Sequence, residues 1–262
     1  MFTSTPQERH VVIDRRFDGM PEIAHGGYLA GLLAATLDEA SAEVRLRRPV
    51  PTDRPLTLAR AETEAVELRD GEVRLAEGAP AELSLDVPLP VTLAEAERAS
   101  RRFPGFHSHP FPDCLVCGGA RTTGDGLRIF PGPVAGRRLV AASWVPAPEL
   151  ANGVGRVPSE LVWAALDCPQ LWSLMVHAPA ASTDLVVTAV LTTRLGHPVL
   201  AGEPHVVIGW PMGRNGRAWL AGAAVIGPGG NLCAVGRQTA AITSWGVPLG
   251  RQRRAAARTS AA

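Results

Sequence analysis

Asp167 is the residue whose setting most suggests chemistry. It lies in SELVWAALDCPQLWSLMVHA (159–178), and between Leu161 and Met175 no other residue is charged. A carboxylate in an almost continuously apolar helix is costly to bury unless it is paired, and burial without a partner disfavours the charged form. Such a group suits a general base acting on water, or a nucleophile, at an activated carbonyl. The structural alternative is a carboxylate that caps a turn or pairs with an arginine. Pro169 follows two residues later; inside a continuing helix it deprives the Ala165 carbonyl of its usual donor. A second candidate is His25-Gly26-Gly27, at the start of an apolar helical stretch. Free N–H groups at a helix start can hold an anion or an oxyanion, and glycines let a ligand approach the backbone; the alternative is that they only admit close helix packing. Arg45, Arg47 and Arg48 follow on a strand-like segment, where guanidinium groups suit phosphate, or simply form a solvated face. His107, His109, Cys114 and Cys117 carry zinc-ligand types, but only one Cys-x2-Cys pair exists and no second pair at ordinary spacing follows it. The expectation is therefore a turn with buried thiols, and no metal. Cys168 has no histidine near it in sequence, and an apolar helix would raise the pKa of its thiol, which argues against a thiolate nucleophile.

Composition narrows the chemistry further. The 262 residues are 46% hydrophobic and 19% charged, enough to bury a substantial core, and the formal net charge of +1 gives no global reason to bind nucleic acid or anionic membrane. All 26 residues counted as Lys plus Arg are arginine, which excludes a Schiff-base lysine and a Walker-type phosphate loop. Four cysteines do not make a disulfide framework, the first residues lack a signal-peptide pattern, and no run of about 18 apolar residues is present. The expected setting is cytoplasmic, without membrane insertion.

Two stretches of similar design must position these residues. Residues 10–20 read as a strand and turn, and 25–40 as a buried helix, apolar almost all round. Strand-like segments follow at 42–51, 55–68 and 72–83, with Asp70-Gly71 as a hairpin signal. Residues 88–125 form a linker containing a short polar helix at 92–102 and then Pro, Gly and His punctuation. The pattern then recurs: two strands within 127–146, an apolar helix at 159–178, and four strands in 183–243. An offset of roughly 130 residues between helices is too long for a solenoid repeat and fits two tandem copies of one α+β unit, 1–87 and 126–248, with a basic tail at 249–262.

One long helix wrapped by a curled antiparallel sheet is the hotdog architecture. The first unit resembles hotdog acyl-CoA thioesterases of the double hotdog group similar to acyl-CoA thioesterase II, through Gly26-Gly27-Tyr28-Leu29-Ala30 and Val44-Arg45-Leu46-Arg47-Arg48-Pro49-Val50-Pro51. The second unit is similar to that group's second half, through Trp163-Ala164-Ala165-Leu166-Asp167 and Arg237-Gln238. The resemblance implies a tandem (double) hotdog fold and hydrolysis of an acyl-CoA or acyl-carrier thioester without a cofactor. It makes Asp167 the catalytic carboxylate, with Gln238 and a threonine orienting water. Thr188 and Thr192 both fit that threonine, since residues four apart on a strand share a face. His25, Gly26, Gly27 and Arg47 would bind substrate. Single hotdog enzymes with this helix start carry a carboxylate nine residues after the histidine; here that position is Ala34, and Asp38 lies thirteen after, so catalysis is not expected on the first helix. The alternatives are a non-catalytic acyl-ligand binder and a hotdog dehydratase, and a homodimer is compatible with either.

Overall fold

The computed structural model describes residues 8–60, 65–177, 185–216 and 218–243. The expected tail at 249–262 lies outside the described residues. The first half runs β1 (Glu8–Val12), β2 (Asp18–Met20), β3 (Ile23–Ala24), α1 (Gly26–Ala34), β4 (Ser41–Leu46), β5 (Pro55–Arg60), β6 (Val66–Asp70) and β7 (Val73–Pro80). After α2 (Leu93–Ser100), the second half runs β8 (Gly132–Pro133), β9 (Val140–Trp144), α3 (Ser159–His177), β10 (Leu185–Leu195), β11 (His205–Asn215), β12 (Ala218–Ile226) and β13 (Leu232–Thr243).

Eleven of these strands form one antiparallel sheet in the order β1-β5-β6-β7-β4-β10-β13-β12-β11-β9-β8, while β2 and β3 pair separately. Read outward from its middle, the sheet repeats itself. On one side the strand after α1 is followed by β7, β6, β5 and β1; on the other the strand after α3 is followed by β13, β12, β11 and β9. Each half therefore places its first post-helix strand at the centre, then its last strand, and its pre-helix strand outermost of these. The halves join where β4 pairs with β10, from Val190 opposite Arg45 to Arg194 opposite Ser41. Pairing at that seam leaves neither central strand with a bare edge.

The helices α1 and α3 pack against each other with little space between them. A Cβ on Gly27 would stand 2.9 Å from the Ala164 Cα, and one on Gly31 would stand 2.5 Å from the Glu160 Cα. Glycines one turn apart thus form the contact stripe of α1. Leu29, Leu33, Trp163 and Leu166 fill the core around it, each at most 2% exposed. The sequence pattern predicts a helix to residue 40, but α1 ends at Ala34. The Thr36 hydroxyl donates to the Leu33 carbonyl at 2.7 Å, the last N–H groups of the turn reach only three residues back, and Asp38 is left-handed at φ 57°. The α3 helix, by contrast, runs through Pro169 without interruption.

Much of the expected linker is packed. The α2 helix opens with a Thr92–Glu95 capping box and lays Ala96 and Ala99 on Ile208, Trp210 and Ala224, the opposite face of the sheet from α3. Cys114, Leu115, Val116 and Cys117 belong to the main core. The backbone around them is anchored by Leu115 N–H to the Asp18 carbonyl and Ile129 N–H to the Val116 carbonyl, both 2.8–2.9 Å.

Candidate active site

Asp167 is 2% exposed and lies on the face of α3 turned toward α1 and β10. It is not an orphaned charge. Its Oδ1 accepts from the Thr188 hydroxyl and from the Gln238 amide, each at 2.5 Å, and its Oδ2 accepts from the Gly27 N–H at 2.7 Å. The Gln238 amide also donates to the Thr188 hydroxyl oxygen at 2.6 Å. Three elements from both halves therefore converge on one carboxylate: the start of α1, β10 and β13. Donors of this kind hold the carboxylate in place and offset the cost of taking it out of water.

The two threonines left open by the sequence separate cleanly, because the parity argument that grouped them fails. Gln238 stands opposite Leu191, whereas Thr188 stands opposite Ala240, with a register shift between Thr188 and Val190. In antiparallel pairs, opposite residues share a face. One extra residue at the bulge thus moves Thr188 onto the face of Gln238 and leaves Thr192 on the other. Thr192 instead donates to Glu43 Oε2 at 3.0 Å across the seam with β4. The expectation that Thr192 assists Asp167 is corrected on this geometry.

The glycines at the head of α1 also have a more specific use than the sequence suggested. The Gly27 N–H is spent on Asp167, and the Tyr28 N–H contacts His25 Nδ1 at 3.4 Å. This leaves Gly26 as the N–H at this end with no partner among the described residues. A Cβ on Gly26 would come within 3.2 Å of Asp167 Oδ2. An ionised carboxylate offers about two acceptor positions per oxygen. Oδ1 has both filled by protein donors and Oδ2 has one, so the remaining position is on Oδ2, in the space that Gly26 keeps clear. His25, 3% exposed, has its Nδ1 3.7 Å from the same oxygen.

Asp167 and Gly26 line a cavity of about 690 Å³. Its walls are largely apolar, with Met20, Ile23, Leu46, Phe111, Leu171 and Val186 among them. Arg47 and Arg48 line it and are exposed, which places them on its solvent side. Arg47 is paired with Glu77 at 2.6 Å.

The same cavity is lined by a group that sequence order conceals. Cys168 Sγ lies 3.3 Å from His25 Nε2 and 3.7 Å from Cys114 Sγ, and Cys114 Sγ lies 3.7 Å from Cys117 Sγ. His109 Nε2 and Trp172 Nε1 are 3.2 Å and 3.4 Å from Cys117 Sγ. All three cysteines are unbridged and buried. Contacts from Cys117 and Cys168 hold the Cys114 thiol well below the ordinary range, while the Cys168 thiol is pushed up by its neighbour Cys114. The cause is chiefly the neighbouring thiols, and the histidine that the sequence does not place near Cys168 is His25, brought there by the fold. The Cys-x2-Cys spacing was the one signal available; its partners stand 143 residues apart in the chain and are joined only by α1 packing on α3.

No helix among the described residues is long and apolar enough to cross a membrane. No protein-family model matches the sequence, and no curated protein does. Solved structures do match. An acyl-CoA thioesterase II from Mycobacterium marinum aligns over 90% of this chain and 93% of its own, at 13% identity and TM-score 0.58. A tesB protein from Mycobacterium avium subsp. paratuberculosis aligns over 90% and 93%, at 11% identity and TM-score 0.57. A conserved protein of unknown function with a hot dog fold from Alicyclobacillus acidocaldarius aligns over 90% and 93%, at 10% identity and TM-score 0.58. At this level of identity the likeness is one of fold: over nine-tenths of its length this chain has the hotdog architecture found in thioesterase II structures.

Proposed function

We propose that the chain is a tandem pair of hotdog units, broadly 1–87 and 126–248, that hydrolyses an acyl thioester at Asp167. The observation that carries this reading is the carboxylate held by Thr188, Gln238 and Gly27 on the wall of an apolar cavity, with one acceptor position on Oδ2 left over. A water bound there would give its proton to Oδ2 as its oxygen attacks the thioester carbonyl carbon. Thr188 and Gln238 fix the carboxylate so that Oδ2 and not Oδ1 faces the water. The Gly26 N–H, at the positive end of α1, is the donor available to the developing oxyanion. Collapse of the tetrahedral intermediate breaks the C–S bond; the leaving sulfur takes the proton, releasing a carboxylic acid and a thiol. The apolar walls would take the acyl chain. Arg48, and Arg47 where it can exchange Glu77 for a stronger anion, suit the phosphates of a CoA or a phosphopantetheine carrier.

The test is turnover of a panel of acyl-CoAs graded in chain length, read with a thiol-reactive reporter, beside Asp167→Asn. Release of free thiol by the wild type and its loss in the variant are the expected results. Measurable acyl-CoA binding without any thiol release would replace hydrolysis with acyl-ligand binding.

A further inference from the structure

We propose that Cys114, Cys117, Cys168 and His25 bind one zinc ion that staples three segments of the chain beside Asp167. A tetrahedral zinc with bonds of about 2.3 Å to sulfur and about 2.0–2.1 Å to nitrogen has S···S edges of roughly 3.8 Å and S···N edges of roughly 3.6 Å. The observed distances follow that figure: 3.7 Å for Cys114–Cys168, 3.7 Å for Cys114–Cys117 and 3.3 Å for His25 Nε2–Cys168. The donor atoms of His25, Cys114 and Cys168 all lie within 4.8 Å of one another, and each residue is buried. Cys117 Sγ, 3.7 Å from Cys114 Sγ, falls outside that radius for at least one of the three and has to swing inward to complete the quartet. A set of three thiolates and one imidazole in tetrahedral array selects zinc over the harder divalent cations.

The surroundings are those of a metal-bound thiolate. The His109 ring takes the Phe111 N–H on Nδ1 at 2.9 Å, which leaves its proton on Nε2, aimed at Cys117 Sγ. The Trp172 indole N–H points at the same sulfur. A neutral thiol is a weak acceptor and gives two N–H donors little reason to converge on it, whereas a zinc thiolate draws such donors. Three thiolates and Zn²⁺ sum to one negative charge, which these two donors help to hold. Zinc on His25 Nε2 would require the tautomer with its proton on Nδ1, so the long 3.4 Å contact from the Tyr28 N–H to Nδ1 would have to give way to one from Nδ1 to Asp167 Oδ2, 3.7 Å away; carboxylates commonly orient zinc-bound imidazoles in this way.

Four protein ligands close the coordination sphere, so the ion takes a structural role and leaves no position for water. Its ligands adjoin the residues that build the carboxylate site: His25 precedes Gly26 and Gly27, and Cys168 follows Asp167. The staple would therefore fix the head of α1 against α3 at the point where the Gly27 N–H meets Asp167. The site stands independently of the reaction assigned to that carboxylate.

The experiment is elemental analysis of the full chain, purified under reducing conditions without chelator. Roughly one zinc per chain is expected, as for a structural site. Cys114→Ser and Cys117→Ala should each lose the metal, while Cys233→Ser, outside the cluster, should retain it. Because a ligand variant can fail to fold, the reduced wild type is also stripped of metal and titrated with cobalt(II). Thiolate-to-cobalt charge-transfer bands and strong d–d absorption of tetrahedral cobalt are expected, and zinc should abolish both. A reduced wild type that neither carries zinc nor develops these bands would overturn the proposal. So would zinc retained undiminished by both cysteine variants.

Discussion

Replacing Asp167 by asparagine separates chemistry from folding more sharply than truncation would, and the surrounding hydrogen bonds show why. Three donors meet the carboxylate: the Gly27 N–H, the Thr188 hydroxyl and the Gln238 amide. Alanine would orphan all of them in a buried site, at roughly 1–3 kcal/mol per group. Asparagine can keep its oxygen toward the fixed Gly27 N–H and turn its amide toward β10 and β13. There the Gln238 amide can flip to present Oε1, which has no partner among the described residues, and the Thr188 hydroxyl can rotate to accept. The stability loss should then be on the order of 1–3 kcal/mol, the difference between charge-assisted and neutral hydrogen bonds. The base, however, is gone. Loss of a general base costs a factor on the order of 10²–10⁴ in kcat, or about 3–5 kcal/mol of barrier. KM should move little, because the carboxylate acts on the transition state more than on the bound thioester. Thermal melts and steady-state kinetics on the same preparations, with the acyl-CoA that the wild type turns over best, make the comparison. Turnover by a folded Asp167→Asn within a few-fold of wild type would refute the assignment of Asp167 as base.

Four further outcomes follow from the same geometry. Thr188→Val should lower kcat by roughly tenfold or more by releasing the carboxylate, whereas Thr192→Val should leave kcat near wild type and show only in the melting temperature. Equal kinetic effects would contradict the bulge argument. Gln238→Ala should reduce kcat less than Asp167→Asn, since it orients without taking a proton; a larger loss, in the same steady-state assay, would exchange the two roles. Gly26→Ala puts a methyl 3.2 Å from Oδ2, in the space assigned to water, and should lower kcat on the order of 10²-fold with a small change in melting temperature; an active variant would place the water elsewhere. Gly31→Ala forces a methyl within 2.5 Å of the Glu160 Cα and should destabilise the fold by about 1–3 kcal/mol in chemical denaturation, despite alanine's better helix propensity.

Much of this molecule follows from local pattern. The apolar run of 159–178 becomes a buried helix over its described residues, Ser159–His177, the four late strands fall where the sequence puts them, and Asp70-Gly71 makes the β6–β7 turn with Gly71 at φ 56°. These are short-range effects: periodicity selects the element, and a residue tolerant of positive φ selects the turn. Asp167 stands out for the same reason, because a single charge in an apolar helix is conspicuous without any knowledge of its partners. What the pattern could not supply is whatever depends on two segments meeting. The end of α1 depends on a threonine hydroxyl and a left-handed aspartate, which periodicity does not register. The choice of Thr188 over Thr192 depends on one inserted residue in the pairing of β10 with β13, and a strand read alone shows no bulge. The Gly27 N–H appeared free to bind a ligand because its partner lies 140 residues away. The two cysteines of 114–117 stood alone in the sequence because the third thiol and the imidazole that cluster with them arrive from α3 and from the cap of α1. Spacing along a chain predicts ligands only when they share a segment; here the packing of α1 on α3 sets which residues are neighbours, and tertiary structure alone decides it.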